Sequence, residues 1–321
     1  MTRTATYKPG LAWFAALGSV LVFGLVGLGA FTTTIGAGMA FSDWPLSNGS
    51  VNPSGWLTEI DKFAEHSHRL SGTLMGLVTV VLAFWLSLAE SRAWLRQLGW
   101  WALAIVVFQG VLGGTRVLFD PVGVPGFEMS LGQMLRIPHG ILAHVYVCVL
   151  FAIAGGLSSA WLNPVAAGAR ATVRRLGGWC VTLLLLQLAL ATTMRHNLAG
   201  MAIPTFPLST IDGAVLPAAW DFRVALQFAH RAMAALIAVA VAAYGHVLFR
   251  DKPLAPLLRW SGVILVALVA LQILLGAKII WTGRSIYATT GHVVVGALTL
   301  ATTLVVTLFV HRPAAPAGST A

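Results

Sequence analysis

The stretch FAEHSHRLSGTLMGLVTVVLAFWLSLA, residues 63–89, decides the fold. Glu65, His66, His68 and Arg69 crowd into five residues, and no charge follows from Leu70 to Ala89. That uncharged run matches the roughly 20 residues a helix needs to cross the apolar slab of a bilayer. The polar cluster then stands where the helix enters the membrane. Two imidazoles, a carboxylate and a guanidinium at such a place are costly unless they pair or perform chemistry.

The remainder of the chain agrees with a membrane setting. Of 321 residues, 58% are hydrophobic and 9% charged, and the mean hydropathy is +0.84. Soluble domains carry about 25% charged residues, so this chain has too little polar surface to cover itself in water. The net charge of +10 would suit nucleic acid, but the basic residues punctuate apolar runs. No nucleic-acid partner is expected; membrane lipid is the surrounding partner. Eight apolar runs lie near 11–34, 67–89, 97–118, 132–157, 174–195, 224–249, 256–280 and 288–310. Continuous rather than alternating hydrophobicity predicts helices, not barrel strands. The fold class is therefore an all-α integral membrane protein with eight transmembrane helices. The first run is too long for a signal-peptide core and counts as a helix. Cys148 and Cys180 lie inside apolar runs and read as buried thiols, with no disulfide framework and no cysteine metal site. The tail RPAAPAGSTA, 312–321, is expected to be disordered.

Loop charge sets direction. With a cytoplasmic N-terminus, eleven of the twenty lysines and arginines (Arg3 among them) face inward, concentrated in the short connections 90–96, 168–175 and 250–259. Eight of the ten acidic residues, all but Glu90 and Asp251, face outward. Both termini are expected in the cytoplasm, and the long segments 35–66 and 196–223 outside.

Those two outer segments match. AGMAFSDWPLS (37–47) and AGMAIPTFPLS (199–209) agree at seven of eleven positions at an offset of 162, and the same offset carries His68-Arg69 onto His230-Arg231. FQGVLGG (108–114) resembles LQILLGA (271–277), and HGILA (139–143) resembles HVVVGA (292–297). The chain reads as two pseudo-symmetric four-helix bundles, residues 1–160 and 161–321, repeated in parallel because four spans return the chain to its starting side.

Four of the nine histidines, His68, His139, His230 and His292, stand near the start of even-numbered helices. All four therefore lie at similar depth near the outer face, two in each half. Two imidazoles on facing helices of a bundle are the geometry for bis-histidine haem iron ligation. A zinc site would want three or four converging ligands. Arg69 and Arg231 adjoin the ligand positions and are candidates to neutralise haem propionates; anchoring at lipid headgroups is the alternative. His144 lies about 140° round the helix from His139 and is the rival for that ligand position. His66 points away from His68, and its role stays open. The offset also maps Glu65 onto Gln227. A carboxylate can exchange a proton at neutral pH; an amide cannot act as a base. Glu65 is thus the candidate catalytic residue, and the N-terminal half the one that does chemistry.

The Glu-x-x-His-Arg motif, the four helix-start histidines, the eight spans in two halves and the SDWPLS loop together resemble the haem A synthase family of cytochrome oxidase assembly proteins. The resemblance runs over about residues 11–310. It implies oxidation of the C8 methyl of haem O, the substrate, to a formyl group, giving haem A for terminal oxidases. It implies the substrate haem between His68 and His139, a haem b cofactor between His230 and His292, and Glu65 as the catalytic carboxylate. It also implies a bacterial inner membrane location, an electron-transfer partner of unknown identity, and a haem O-producing synthase as a candidate neighbour. Some members carry an outer-loop cysteine pair; this chain has none there. Two other functions fit four histidines: a two-haem b-type electron-transfer cytochrome, and a haem carrier without chemistry. The electron-transfer reading does not account for the Glu65/Gln227 difference.

Overall fold

The computed structural model describes residues 6–162 and 168–312. Arg3, and the tail beyond Arg312 that is expected to be disordered, lie outside them. The described residues form α1 (Pro9–Thr34), α2 (Ile60–Ala89), α3 (Ala93–Leu118), α4 (Leu131–Leu157), the short α5 (Ser159–Leu162), α6 (Ala171–His196), α7 (Phe222–Arg250), α8 (Pro256–Trp281) and α9 (Ile286–Val310). All but α5 are long and apolar enough to cross a membrane, so each expected span has its helix. Cys148 and Cys180 are buried free thiols.

Local chemistry fixes the helix ends. Pro9 and Pro256 open α1 and α8, where a missing N–H costs no hydrogen bond. Ser130 and Gln133 close a reciprocal capping box on α4, and the Asp221 carboxylate accepts from Val224 N at 2.7 Å at the start of α7. The largest departure from the apolar run is α2, which begins at Ile60 rather than near 67. Helix propagation does not require apolar side chains, and Asp61 in the first turn favours the helix dipole. His68, His139 and His230 are consequently each the ninth residue of their helices, counted from Ile60, Leu131 and Phe222; His292 is the seventh from Ile286. They stand two turns or so inside, not at the mouth.

The helices close into rings. In the first, α1 touches α2, α2 touches α3, α3 touches α4, and α4 returns to α1; α6, α7, α8 and α9 follow the same order in the second. In each ring the second and fourth helices are therefore diagonal partners, with an interior between them. The rings meet where α4 packs on α6 and α9, and α1 on α9. Ala297, Leu300 and Ala301 of α9 belong to the same buried cluster as Leu82, Leu86 and Ile153. Arg195 adds a polar tie across this seam, donating to Ala30 O and Thr34 Oγ1, both at 2.9 Å. At the α7–α8 crossing a Cβ on Gly245 would lie 2.7 Å from the Gly262 carbonyl, so only glycine permits that approach. Trp13 and Leu17 of α1 and Leu77 of α2 are exposed, as a lipid-facing surface requires.

Candidate functional site: two histidine pairs

The long loops before α2 and α7 seat the second helix of each ring by the same bonds. Glu65 Oε2 accepts from Phe41 N at 3.0 Å; Gln227 Oε1 accepts from Ile203 N, 162 residues on. Arg69 donates to Phe41 O at 3.2 Å, and Arg231 to Ile203 O at 2.8 Å. Both loops carry a cis peptide before proline, Trp44-Pro45 and Phe206-Pro207. The Trp44 ring lies so close over Gly114 of α3 that a Cβ there would fall 2.2 Å from it.

Beyond these shared bonds the halves differ. Glu65 Oε1 accepts from Arg69 Nη2 at 2.7 Å, in a nearly buried ion pair. Gln227 instead donates to Gly200 O at 2.8 Å. Arg69 also donates to Asp43 O at 2.9 Å and Leu46 O at 2.7 Å, so both of its Nη groups serve the loop and Glu65. Arg231 keeps Nη1 buried with no partner. Arg231 thus keeps one Nη donor without a partner, whereas both Nη groups of Arg69 are engaged. Arg116 of α3, which donates to Gly38 O, is an electrostatic neighbour of both His68 and His139; nothing in the sequence distinguished it.

The histidines come together in pairs. His68 on α2 and His139 on α4, the diagonal helices of the first ring, are electrostatic neighbours. His230 on α7 and His292 on α9 have ring centroids 6.3 Å apart with planes at 58°. A first-row metal bonds an imidazole nitrogen at about 2.0 Å, so two imidazoles in line across one ion have centroids roughly 6 Å apart; the second pair matches that separation. His292 Nδ1 donates to the Gln272 carbonyl at 3.0 Å, which fixes the proton there and leaves Nε2 a free lone pair. The Nδ1 atoms of His68, His139 and His230 are buried without a hydrogen bond. Glycine makes room for three of the rings: a Cβ on Gly29, Gly113 or Gly276 would fall 2.8, 3.3 or 3.3 Å from Cε1 of His68, His139 or His292. Among the described residues no three His, Cys, Asp or Glu side chains converge as for a metal ion. Two imidazoles per ring suit an iron porphyrin, which brings four nitrogens of its own.

The neighbouring histidines occupy other places. His144 directs Nδ1 to Gly140 O at 2.9 Å and approaches the Val293 carbonyl of α9, so it lies at the seam between rings. His66 is buried against Trp56, with ring centroids 4.9 Å apart, and shares a 3.2 Å hydrogen bond with Ser47 Oγ; it ties the α1–α2 loop to α2. His196, expected in a loop, is the last residue of α6.

Three glutamines escaped the sequence reading. Gln109 donates to His139 O at 2.9 Å, Gln187 to His230 O at 3.0 Å and Gln272 to His292 O at 2.9 Å. The repeat held a signal for two of them, since Gln109 and Gln272 are the matching residues of FQGVLGG and LQILLGA.

Comparison with known proteins is consistent with this arrangement. A family model described as cytochrome oxidase assembly protein matches residues 12–304. A protein named heme A synthase from Geobacillus kaustophilus is 26% identical over 286 residues, covering 88% of this chain and 86% of the relative. Proteins of the same name from Brucella anthropi and Brucella suis are each 25% identical over 305 residues, covering 82% of this chain and 81% of the relative.

Proposed function

The chain belongs to the cytochrome oxidase assembly protein family, and we propose that within it the protein is a haem A synthase, an oxidoreductase that converts haem O to haem A. The observation that carries this reading is the presence of two separate histidine pairs, one per ring, neither with a third protein ligand. The relatives' shared name, heme A synthase, supports the choice of reaction. Converting the C8 methyl to a formyl group removes four electrons and adds one oxygen atom. That demands a redox centre beside the substrate, which a single-site carrier would lack.

We read residues 1–160 as the substrate half and 161–321 as the cofactor half, with both termini cytoplasmic in a bacterial inner membrane. His68 and His139 hold the haem O iron. His230 and His292 would hold haem b, which would supply one-electron redox chemistry. His139 is preferred to His144 because it neighbours His68, whereas His144 faces α9. Arg231 is the propionate contact of the cofactor half, and Arg116 takes the place expected of Arg69 in the substrate half. Glu65, one helical turn before His68, is the proton-handling carboxylate; its ion pair with Arg69 keeps a negative charge buried beside the substrate, where developing positive charge is stabilised. Gln227 leaves the cofactor half without that charge. An outside electron acceptor completes the reaction, and a haem O-producing synthase is the natural supplier of so apolar a substrate.

The test is turnover of added haem O by purified protein, with the product haem identified by mass. Appearance of haem A supports the reading. Retention of haem b alone, with haem O returned unchanged in the presence of an electron acceptor, would mark an electron-transfer cytochrome instead.

A further inference from the structure

The four histidines are held unequally. His139, His230 and His292 each have their backbone carbonyl bonded by a glutamine Nε2 from an adjoining helix, Gln109, Gln187 and Gln272 respectively. The Oε1 atom of all three glutamines is buried without a partner. A buried amide with an unmet oxygen is unfavourable, so these side chains are held in place by what their N–H groups do. At His292 the tie runs both ways, because its Nδ1 donates to the backbone carbonyl of the same Gln272. Such a bond fixes helix, ring and tautomer together.

His68 has no such tie. Among the described residues no side chain donates to its carbonyl. The offset of 162 that maps His68 onto His230 maps Leu25 onto Gln187, and Gly29 onto Ala191. The Leu25 backbone carbonyl stands at the His68 ring, as those of Gln109 and Gln272 stand at His139 and His292, so what His68 lacks is the side-chain tie alone: the Leu25 side chain packs on the apolar core and can donate nothing. Gly29 gives the His68 ring the room that a methyl would take, as Gly113 and Gly276 do for His139 and His292.

We propose that Gln109, Gln187 and Gln272 are positioning residues for the histidines they hold, and that Leu25, standing where a fourth glutamine would be, leaves His68 as the releasable ligand. The cofactor half clamps both of its histidines and retains its haem. The substrate half clamps only His139, so His68 lets go for haem O to enter and haem A to leave. This inference rests on the two-site reading given above.

The experiment mixes purified protein carrying both haems with excess apomyoglobin and identifies by mass which haem is transferred, and how fast. In the parent, haem O or haem A is expected to leave before haem b. Leu25→Gln supplies the missing tie and should slow loss of the substrate-half haem about fivefold, the effect of one hydrogen bond. Gln187→Leu should speed loss of haem b by a similar factor and broaden its low-spin ferric resonance signal, which altered packing alone would leave unchanged. A transfer rate for Leu25→Gln within twofold of the parent, in protein with an unchanged melting curve, would overturn the inference. If Leu25→Gln does not fold, unchanged haem b transfer and resonance in Gln187→Leu overturn it instead. If His68→Ala and His139→Ala leave the haem content unaltered, the two-site reading fails and this inference with it.

Discussion

Replacing Glu65 by glutamine separates charge from scaffolding, because the second ring already carries glutamine at the equivalent place. Gln227 shows that an amide can accept from the outer-loop backbone and donate to a glycine carbonyl. In Glu65→Gln the Phe41 N–H therefore keeps an acceptor. What is lost is the charge-assisted bond to Arg69, and Arg69 still has the carbonyls of Phe41, Asp43 and Leu46. A hydrogen bond to a charged group contributes about 1.5–3 kcal/mol. With the Arg69 side chain 16% exposed, the low end applies, and Glu65→Gln should cost about 1–2 kcal/mol of stability. Glu65→Ala strands both the Phe41 N–H and the Arg69 charge and should cost about 3–5 kcal/mol. The assay is thermal unfolding in detergent, read beside haem content and haem A yield. Glu65→Gln is expected to fold, bind both haems and form no haem A, while Glu65→Ala loses the outer loop. Parental haem A yield from Glu65→Gln would refute the proton-handling role. Unfolding of Glu65→Gln as severe as that of Glu65→Ala would refute the use of Gln227 as its structural counterpart.

Alanine at His230 or His292 should abolish haem b and spare the other haem, and alanine at His68 or His139 the converse, as read by pyridine haemochrome spectra and mass. Arg69→Ala removes donors to three loop carbonyls and to Glu65 and should destabilise the protein by about 3–5 kcal/mol, measured by thermal unfolding; Arg231→Ala, with one such bond, should cost less. Gly114→Ala drives a methyl into the Trp44 ring and should displace the loop before α2, visible as a shift in tryptophan fluorescence. At the α2–α3 turn, burial alone would push the Glu90 carboxyl up, but hydrogen bonds and charge from Arg92 outweigh it and hold it at about 2. A depressed carboxylate stabilises the fold above its ordinary value of 4.5 and loses that contribution as pH falls toward 2. Between pH 5 and 3 the parent's melting temperature should therefore fall more steeply than that of Glu90→Gln.

The sequence by itself determined the spans, because crossing a bilayer is a one-dimensional demand on apolar length that any reader of the chain can measure. It determined the internal repeat, which the matching bonds of Phe41 and Ile203 to Glu65 and Gln227 express atom by atom. It also singled out His68, His139, His230 and His292, since an imidazole repeated at one depth in lipid is too costly to be incidental. Three-dimensional closure decided the rest. Arg69 stands beside His68 in the sequence, and the fold turns both of its Nη groups to Glu65 and to loop carbonyls from residues more than twenty positions away. Gln109, Gln187 and Gln272 drew no notice in the sequence, and only ring packing brings each against a histidine carbonyl on the adjoining helix. Hydropathy records how deep a side chain sits along the membrane normal; which neighbour it meets round the helix is set only when the rings close.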